Sequence, residues 1–227
     1  MPPCGRLSAE KRGGMKHVMT LGLLAAIVGG CGSTSSITPS DRMSPRTLAV
    51  ATHHAIETRN TDAMVDLVAP PYRKSMRAVL VSVEDYARES DKTATLLAQH
   101  VSQASADRLR NETADFYRQL LPSPLHPAAR GDHIDWTRIN LREENGGIWT
   151  YVDGQKSPFH KTFVFLFQDG AWYVEPLDMP QQFAANAKRL AANYRSAIKT
   201  LQKIQAEIRS GTVAEADINL RLWPPRQ

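Results

Sequence analysis

Between Ile134 and Pro176 the apolar residues of this chain recur at every second position, whereas before and after that stretch they recur every three or four. A change of period from helical to extended and back again limits the fold more than any other feature of the sequence. The runs Ile134 to Glu143, Ile148 to Asp153, Lys161 to Gln168 and Ala171 to Pro176 are rich in β-branched and aromatic residues. They are predicted strands. Turn signals separate them: Asn145-Gly146-Gly147, Asp153-Gly154 and Asp169-Gly170. The last of these, set between Phe165/Phe167 and Trp172/Val174, carries the chemistry of a two-residue hairpin. The spacing predicts a four-stranded antiparallel meander. Phe163, Phe165 and Phe167 share one face by period two, and Val164 and Leu166 make the other face apolar as well. Such a strand is expected to be central and covered on both sides by long helices.

The flanking segments supply those helices. Ser44-Pro45 pairs an N-cap residue with proline at the first helical position, which predicts a helix from Pro45 to about Arg59 with Leu48, Ala51, Thr52, Ala55 and Ile56 inward. Asn60 and Thr61 break and recap the chain for a short helix from Asp62 to Val68. From Tyr72 the stripe Met76, Val79, Leu80, Val83, Tyr86, Ala94, Leu97, Val101 predicts some 30 helical residues, and Ser105 is a candidate cap for a second helix carrying Leu109, Phe116 and Leu120. After the strands, Phe183, Ala187, Leu190, Tyr194, Ile198, Leu201, Ile204 and Ile208 form one long stripe ending at Gly211. Thr212 and Glu215 have capping-box spacing for a last helix from Val213 to Leu222. Helices, then strands, then helices describe an α+β domain over residues 44–223.

Ahead of this domain lies a different kind of segment. From Met15, a basic start at Lys16 leads into eleven mostly apolar residues, Val18 to Val28, and then Gly29-Gly30-Cys31. Crossing a bilayer takes about 20 apolar residues, so this stretch has the outline of a signal peptide and is too short for a membrane span. The sequence Val28-Gly29-Gly30-Cys31 resembles the lipobox of bacterial lipoproteins. That resemblance implies cleavage after Gly30, lipidation of Cys31 and attachment of the chain to a membrane through its new N-terminus. Residues 1–30 are then the signal peptide, with Met15 the expected initiator, and residues 31–43 the lipidated cysteine and a Ser/Thr/Gly-rich tether. Gly32, in place of aspartate, fits sorting to an outer membrane. The remaining cysteine, Cys4, lies in the part expected to be removed, so the folded domain relies on its core without disulfides.

Charge narrows the partners. The first thirty residues hold four of the 28 basic and one of the 23 acidic residues, which leaves a net charge of about +2 for the rest. Basic and acidic residues alternate there, with no basic cluster interleaved with aromatics. Nucleic-acid binding gets no support.

Two stretches carry a further resemblance: AIETRNTDAMVDLVAP, from Ala55 to Pro70, and FLFQDGAWYVEPLD, from Phe165 to Asp178. They resemble lipoprotein members of the nuclear-transport-factor-like, or cystatin-like, superfamily. The resemblance implies a small helix pair in the concavity of a curved sheet. The long helical segments depart from that family's compact pattern, and are expected to fill or cover the mouth of such a cone.

Chemistry is sparse. His53 and His54 are adjacent on a predicted helix and point about 100° apart, which is unsuited to holding one ion. His126, Asp132, His133 and Asp135 form the densest polar concentration, in a loop where solvated residues are the ordinary expectation. No nucleophile elbow, zinc-protease motif, phosphate loop or dinucleotide fingerprint occurs, so no catalytic residue, metal ligand or cofactor is assigned. The aromatic set Trp136, Trp149, Tyr151, Phe163, Phe165, Phe167, Trp172 and Tyr173 is read as core and half-exposed sheet. The expectation is a non-catalytic, membrane-tethered envelope lipoprotein that binds an envelope protein or a small apolar ligand through residues the sequence does not single out. Its alternatives are a pocket enzyme of isomerase or hydrolase type and a helical spacer; the oligomeric state stays open.

Overall fold

The computed structural model describes residues 38–212 and 214–222; the apolar N-terminal segment, Gly30 and Cys31 lie outside the described residues. A helical turn at Pro39–Arg42 opens the described chain, and the Arg42 guanidinium donates to the Asp66 carbonyl at 2.6 Å and lies over the Tyr173 ring. Ordered contacts therefore begin ahead of Ser44. Helix α1, Pro45–Glu57, starts where the Ser44 hydroxyl accepts from the Thr47 amide. The short α2, Thr61–Leu67, starts at Asn60, whose side-chain oxygen accepts from the Ala63 amide at 2.9 Å. Helix α3, Arg73–His100, and helix α4, Gln103–Leu120, follow.

The cap of α4 is Ser102, not Ser105. Ser105 is buried one turn later and spends its hydroxyl on Glu215 and Asn219. Helix α5 runs Pro180–Ser210 and ends at Gly211, in the left-handed region that glycine favours; α6, Glu215–Leu222, begins two residues later than expected. The Glu215 carboxylate accepts from Ser105 and is not part of a capping box with Thr212.

Strands β1, Ala129–Arg130, and β2, His133–Ile134, form a small ribbon of their own. The main sheet comprises β3, Ile139–Glu144; β4, Gly147–Val152; β5, Gln155–Lys156; β6, Phe163–Gln168; and β7, Ala171–Pro176. Its order is β3-β4-β6-β7, all antiparallel, with β5 paired to β4. The α+β class and the meander agree with the sequence. The first expected strand is split, however. Asp135 accepts from both the amide and the hydroxyl of Thr137, and this local turn makes Trp136–Arg138 a 3-10 helix between β2 and β3.

The free edge of β4 is shared by three partners. Near its end β5 pairs with Tyr151 and Val152; near its start Ile148 pairs with Phe165 of β6. Between them Thr150 donates its amide to Nε2 of His160, at 2.7 Å, and accepts from the Ser157 amide. The other ring nitrogen of His160 lies 2.8 Å from the Phe163 carbonyl, which fixes the proton on Nδ1. A side chain thus completes the ladder where no strand is present. His160 is buried against Trp149, Phe159 and Phe165, and that desolvation lowers its pKa to about 4.

The inner face of β6 and β7 is covered by α1 and α2. Phe159, Phe163, Phe165 and Val174 pack with Leu48, Ile56, Met64 and Leu67, joined by Tyr72 just ahead of α3, Met76 and Leu80 from its start, and Leu121 and Leu125 beyond α4. The long helices take part through their ends: the first turns of α3, the last turn of α4 with Tyr117 and Leu120, and the first turn of α5 with Phe183 pack against this cluster. Phe167, at the hairpin tip, is 59% exposed against Trp172, so the apolar face of β6 is not covered to its end. The rest of α3 packs on α5 and α4 in two further clusters, one around Val79, Val83, Ala187 and Tyr194, the other around Leu97, Leu109, Ile204 and Ile218.

On the opposite face Gly147 leaves room for its neighbours. A methyl group there would run into the buried, stiff side chain of Val164 and come within 3.2 Å of Leu166. Gly147→Ala is expected to lower stability by about 1–3 kcal/mol with an unchanged denaturant slope, read by urea unfolding.

His160 predicts a pH dependence. Its pKa is depressed in the folded state, so between pH 6.5 and about 4 the unfolded chain binds more protons. The stability tied to this residue is complete above pH 6.5 and is lost as the pH falls to about 4, at up to about 1.4 kcal/mol per pH unit. Comparing urea midpoints of the wild type and His160→Gln across that range should show this loss in the wild type alone.

Candidate functional site

The larger concavity, about 700 Å³, lies where the end of α1, the end of α4, the following loop and the 3-10 helix Pro158–Lys161 meet. Ile56, Leu121, Pro122 and Pro158 give it apolar walls, and Tyr117 an aromatic one. Arg59, Arg118 and Lys161 line it together with a single carboxylate, that of Glu57, and with His126. Arg118 is paired with Asp115, whereas Lys161 has no ion-pair partner among the described residues.

Arg59 reaches the cavity through an unusual backbone. The Asn60 amide donates to the Ala55 carbonyl and the Arg59 amide to the Ile56 carbonyl, the paired bonds of a Schellman ending to α1. Glycine normally takes the left-handed position in that motif. Here Arg59 holds it at φ 52°, at a cost of roughly 1–2 kcal/mol, and its guanidinium lies 4.9 Å from the Tyr117 ring centre. Burial pushes the Tyr117 hydroxyl up to about 12, against the opposing influence of Arg59, so it stays a neutral donor.

Behind the cavity sits a polar tie between α1 and the loop. His53, 4% exposed, places Nδ1 2.7 Å from the Ser123 hydroxyl and Nε2 3.2 Å from the Gly131 carbonyl. A carbonyl only accepts, so Nε2 carries the proton and, in the neutral ring, Nδ1 accepts from Ser123. Ser123 Oγ also accepts from the Leu125 amide, and the Ser123 carbonyl accepts from Ser157. The adjacent His54 is exposed on another face and lines a second groove of about 460 Å³, where Arg46 stacks 3.9 Å from the Trp136 ring centre.

The loop residues read as the densest polar cluster do not converge. Asp132 and His133 are exposed on the β1–β2 ribbon, His126 faces the larger cavity, and Asp135 is occupied by Thr137, whose hydrogen bonds hold its carboxyl below the usual range. Among the described residues no three His, Cys, Asp or Glu side chains come together as metal ligands, and no helix is long and apolar enough to cross a membrane. The aromatic set divides between the core, with Phe163 and Phe165, and the sheet's other face, where Lys156 lies over Trp149 and Tyr151.

Comparison of the chain with protein-family models, with curated proteins and with solved structures finds no match.

Sequence reasoning missed Arg59, Tyr117, Lys161 and Ser123. Tyr117 and Lys161 belong to elements far apart in the chain, and no local pattern joins them. For Arg59 a faint signal existed: the helix break at Asn60-Thr61 implies a C-terminal turn before it, and no glycine is present to take the left-handed position.

Proposed function

We propose that this chain is a non-catalytic, membrane-tethered lipoprotein of a bacterial envelope whose domain binds a small ligand in the larger cavity. The observation that carries the binding half of this reading is the cavity itself: about 700 Å³, within the size range of small-molecule sites, with Tyr117, Pro122 and Pro158 on its walls beside a larger set of polar and charged side chains. A concavity of that size favours a small ligand over the envelope protein that the sequence left as an equal choice. The tethering half rests on the lipobox-like residues Val28 to Cys31. Expression in a diderm bacterium with an alkyne-bearing fatty acid should label the wild-type chain and leave it in the membrane fraction, whereas Cys31→Ser should carry no label. A wild-type product that is unlabelled and has an unmodified N-terminus overturns the tether.

The hydrolase alternative has one observation in its favour, the Ser123–His53 hydrogen bond at the cavity. Against it stand the burial of both residues and the Leu125 amide already held by Ser123 Oγ. On the binding reading a fluorophosphonate probe leaves Ser123 unmodified; a stoichiometric adduct on Ser123, mapped by mass spectrometry and lost in Ser123→Ala, makes the protein a hydrolase instead.

A further inference from the structure

Going beyond a ligand of unspecified chemistry, and resting on the reading that the larger cavity binds a small molecule, we propose that the ligand is an anion with an apolar body. Its carboxylate or phosphate group is held by the Arg59 guanidinium and the Lys161 ammonium, and its hydrocarbon part lies against Tyr117, Pro122 and Pro158.

Three observations point the same way. The first is charge: with Arg118 taken up by Asp115, two cations, Arg59 and Lys161, line the cavity against the one carboxylate of Glu57, and Lys161 has no ion-pair partner among the described residues. Arginine and lysine differ in how they hold an anion, the fork of one giving paired hydrogen bonds and the other a point charge, and this wall offers both. The second is the position of Arg59. A residue in the left-handed region at the end of α1 is most easily glycine, yet this chain places its longest cation there and lays it over Tyr117 at the cavity wall. Backbone strain of this kind concentrates where a side chain is needed at a particular place. The third is the wall chemistry. Tyr117, Pro122 and Pro158 offer a surface to a body that water solvates poorly, and Tyr117, kept neutral by its burial, adds no negative charge. An ion with no apolar part leaves Tyr117, Pro122 and Pro158 unused. A neutral apolar ligand leaves two cations facing an uncharged surface.

The test is photolabelling of the full chain, held in phosphatidylcholine nanodiscs with empty nanodiscs as blank, by an octanoate bearing a diazirine. Octanoate, octyl phosphate, octanol and octylammonium are the competitors. The expected result is label on peptides containing Arg59, Tyr117 or Lys161, displaced by octanoate and octyl phosphate and by neither octanol nor octylammonium. The stronger of the two anions identifies the head group. Arg59→Gln and Lys161→Gln should each weaken octanoate by about tenfold, the loss of one charge-assisted contact, and added salt should weaken it further. Arg59→Gly removes the same charge at a position glycine adopts without strain, so it keeps the comparison valid if the glutamine variant folds poorly, as circular dichroism will show. Octanol competing as well as octanoate, or affinity unchanged in both Arg59→Gly and Lys161→Gln, overturns the anion and leaves a cavity that binds apolar molecules. Label absent from the cavity peptides overturns the binding reading itself.

Discussion

The inner face of the β6–β7 hairpin has to be removed from water, and α1 with α2 is what removes it. Phe163, Phe165 and Val174 project from the strands onto Leu48, Ile56, Met64 and Leu67, and Phe159 closes the cluster from the 3-10 turn. Burial of aromatic and branched side chains on this scale contributes about 1.5–3 kcal/mol for each. The rest follows from that docking. Once α1 lies on the sheet, its last turn points to the loop after α4, and Arg59, Tyr117 and Lys161 meet around one concavity. The end of α2 is clipped to the outer edge of β7, where the Ala69 amide donates to the Val174 carbonyl, and this sets where α3 departs. Beyond the first turns that pack on this cluster, α3 and α5 pack on each other.

What the sequence made legible was whatever depends on neighbours along the chain. The Asn-Gly and Asp-Gly turns were readable because Asn145, Asp153 and Asp169 each precede a glycine and both residues take positive φ, as the tightest hairpins demand. Helix ends marked by Pro45 and Gly211 were equally plain. Misreadings arose where a side chain competes with a period. Asp135 turns the chain locally and ends the extended run that Ile134 and Leu141 suggested. Ser102 and Ser105 are both plausible caps, and only packing against α6 makes Ser105 the buried one.

The candidate site was almost wholly illegible, for a physical reason. Its residues come from α1, α4, a loop and a 3-10 turn, and none lies in a run whose spacing encodes a shared function. His53 illustrates the same point. As one of two adjacent histidines it was read only as unsuited to holding an ion with its neighbour, and its partners, Ser123 and Gly131, lie more than sixty residues away. His160 likewise shows no sequence sign of standing in for a strand.

Along the paired α3 and α5 there is one polar contact that the apolar stripes do not explain. The buried amide of Gln205 donates to the Glu89 backbone carbonyl, to the Glu89 carboxylate and to the Thr93 hydroxyl. Leucine and alanine surfaces slide past one another with little penalty, since each new pairing resembles the last. An amide sealed between helices has no such freedom, because a shift of one turn leaves it facing hydrocarbon with its hydrogens unpaired. Gln205 is therefore the tooth of a ratchet: it adds little to the strength of the helical arm and allows that arm a single length.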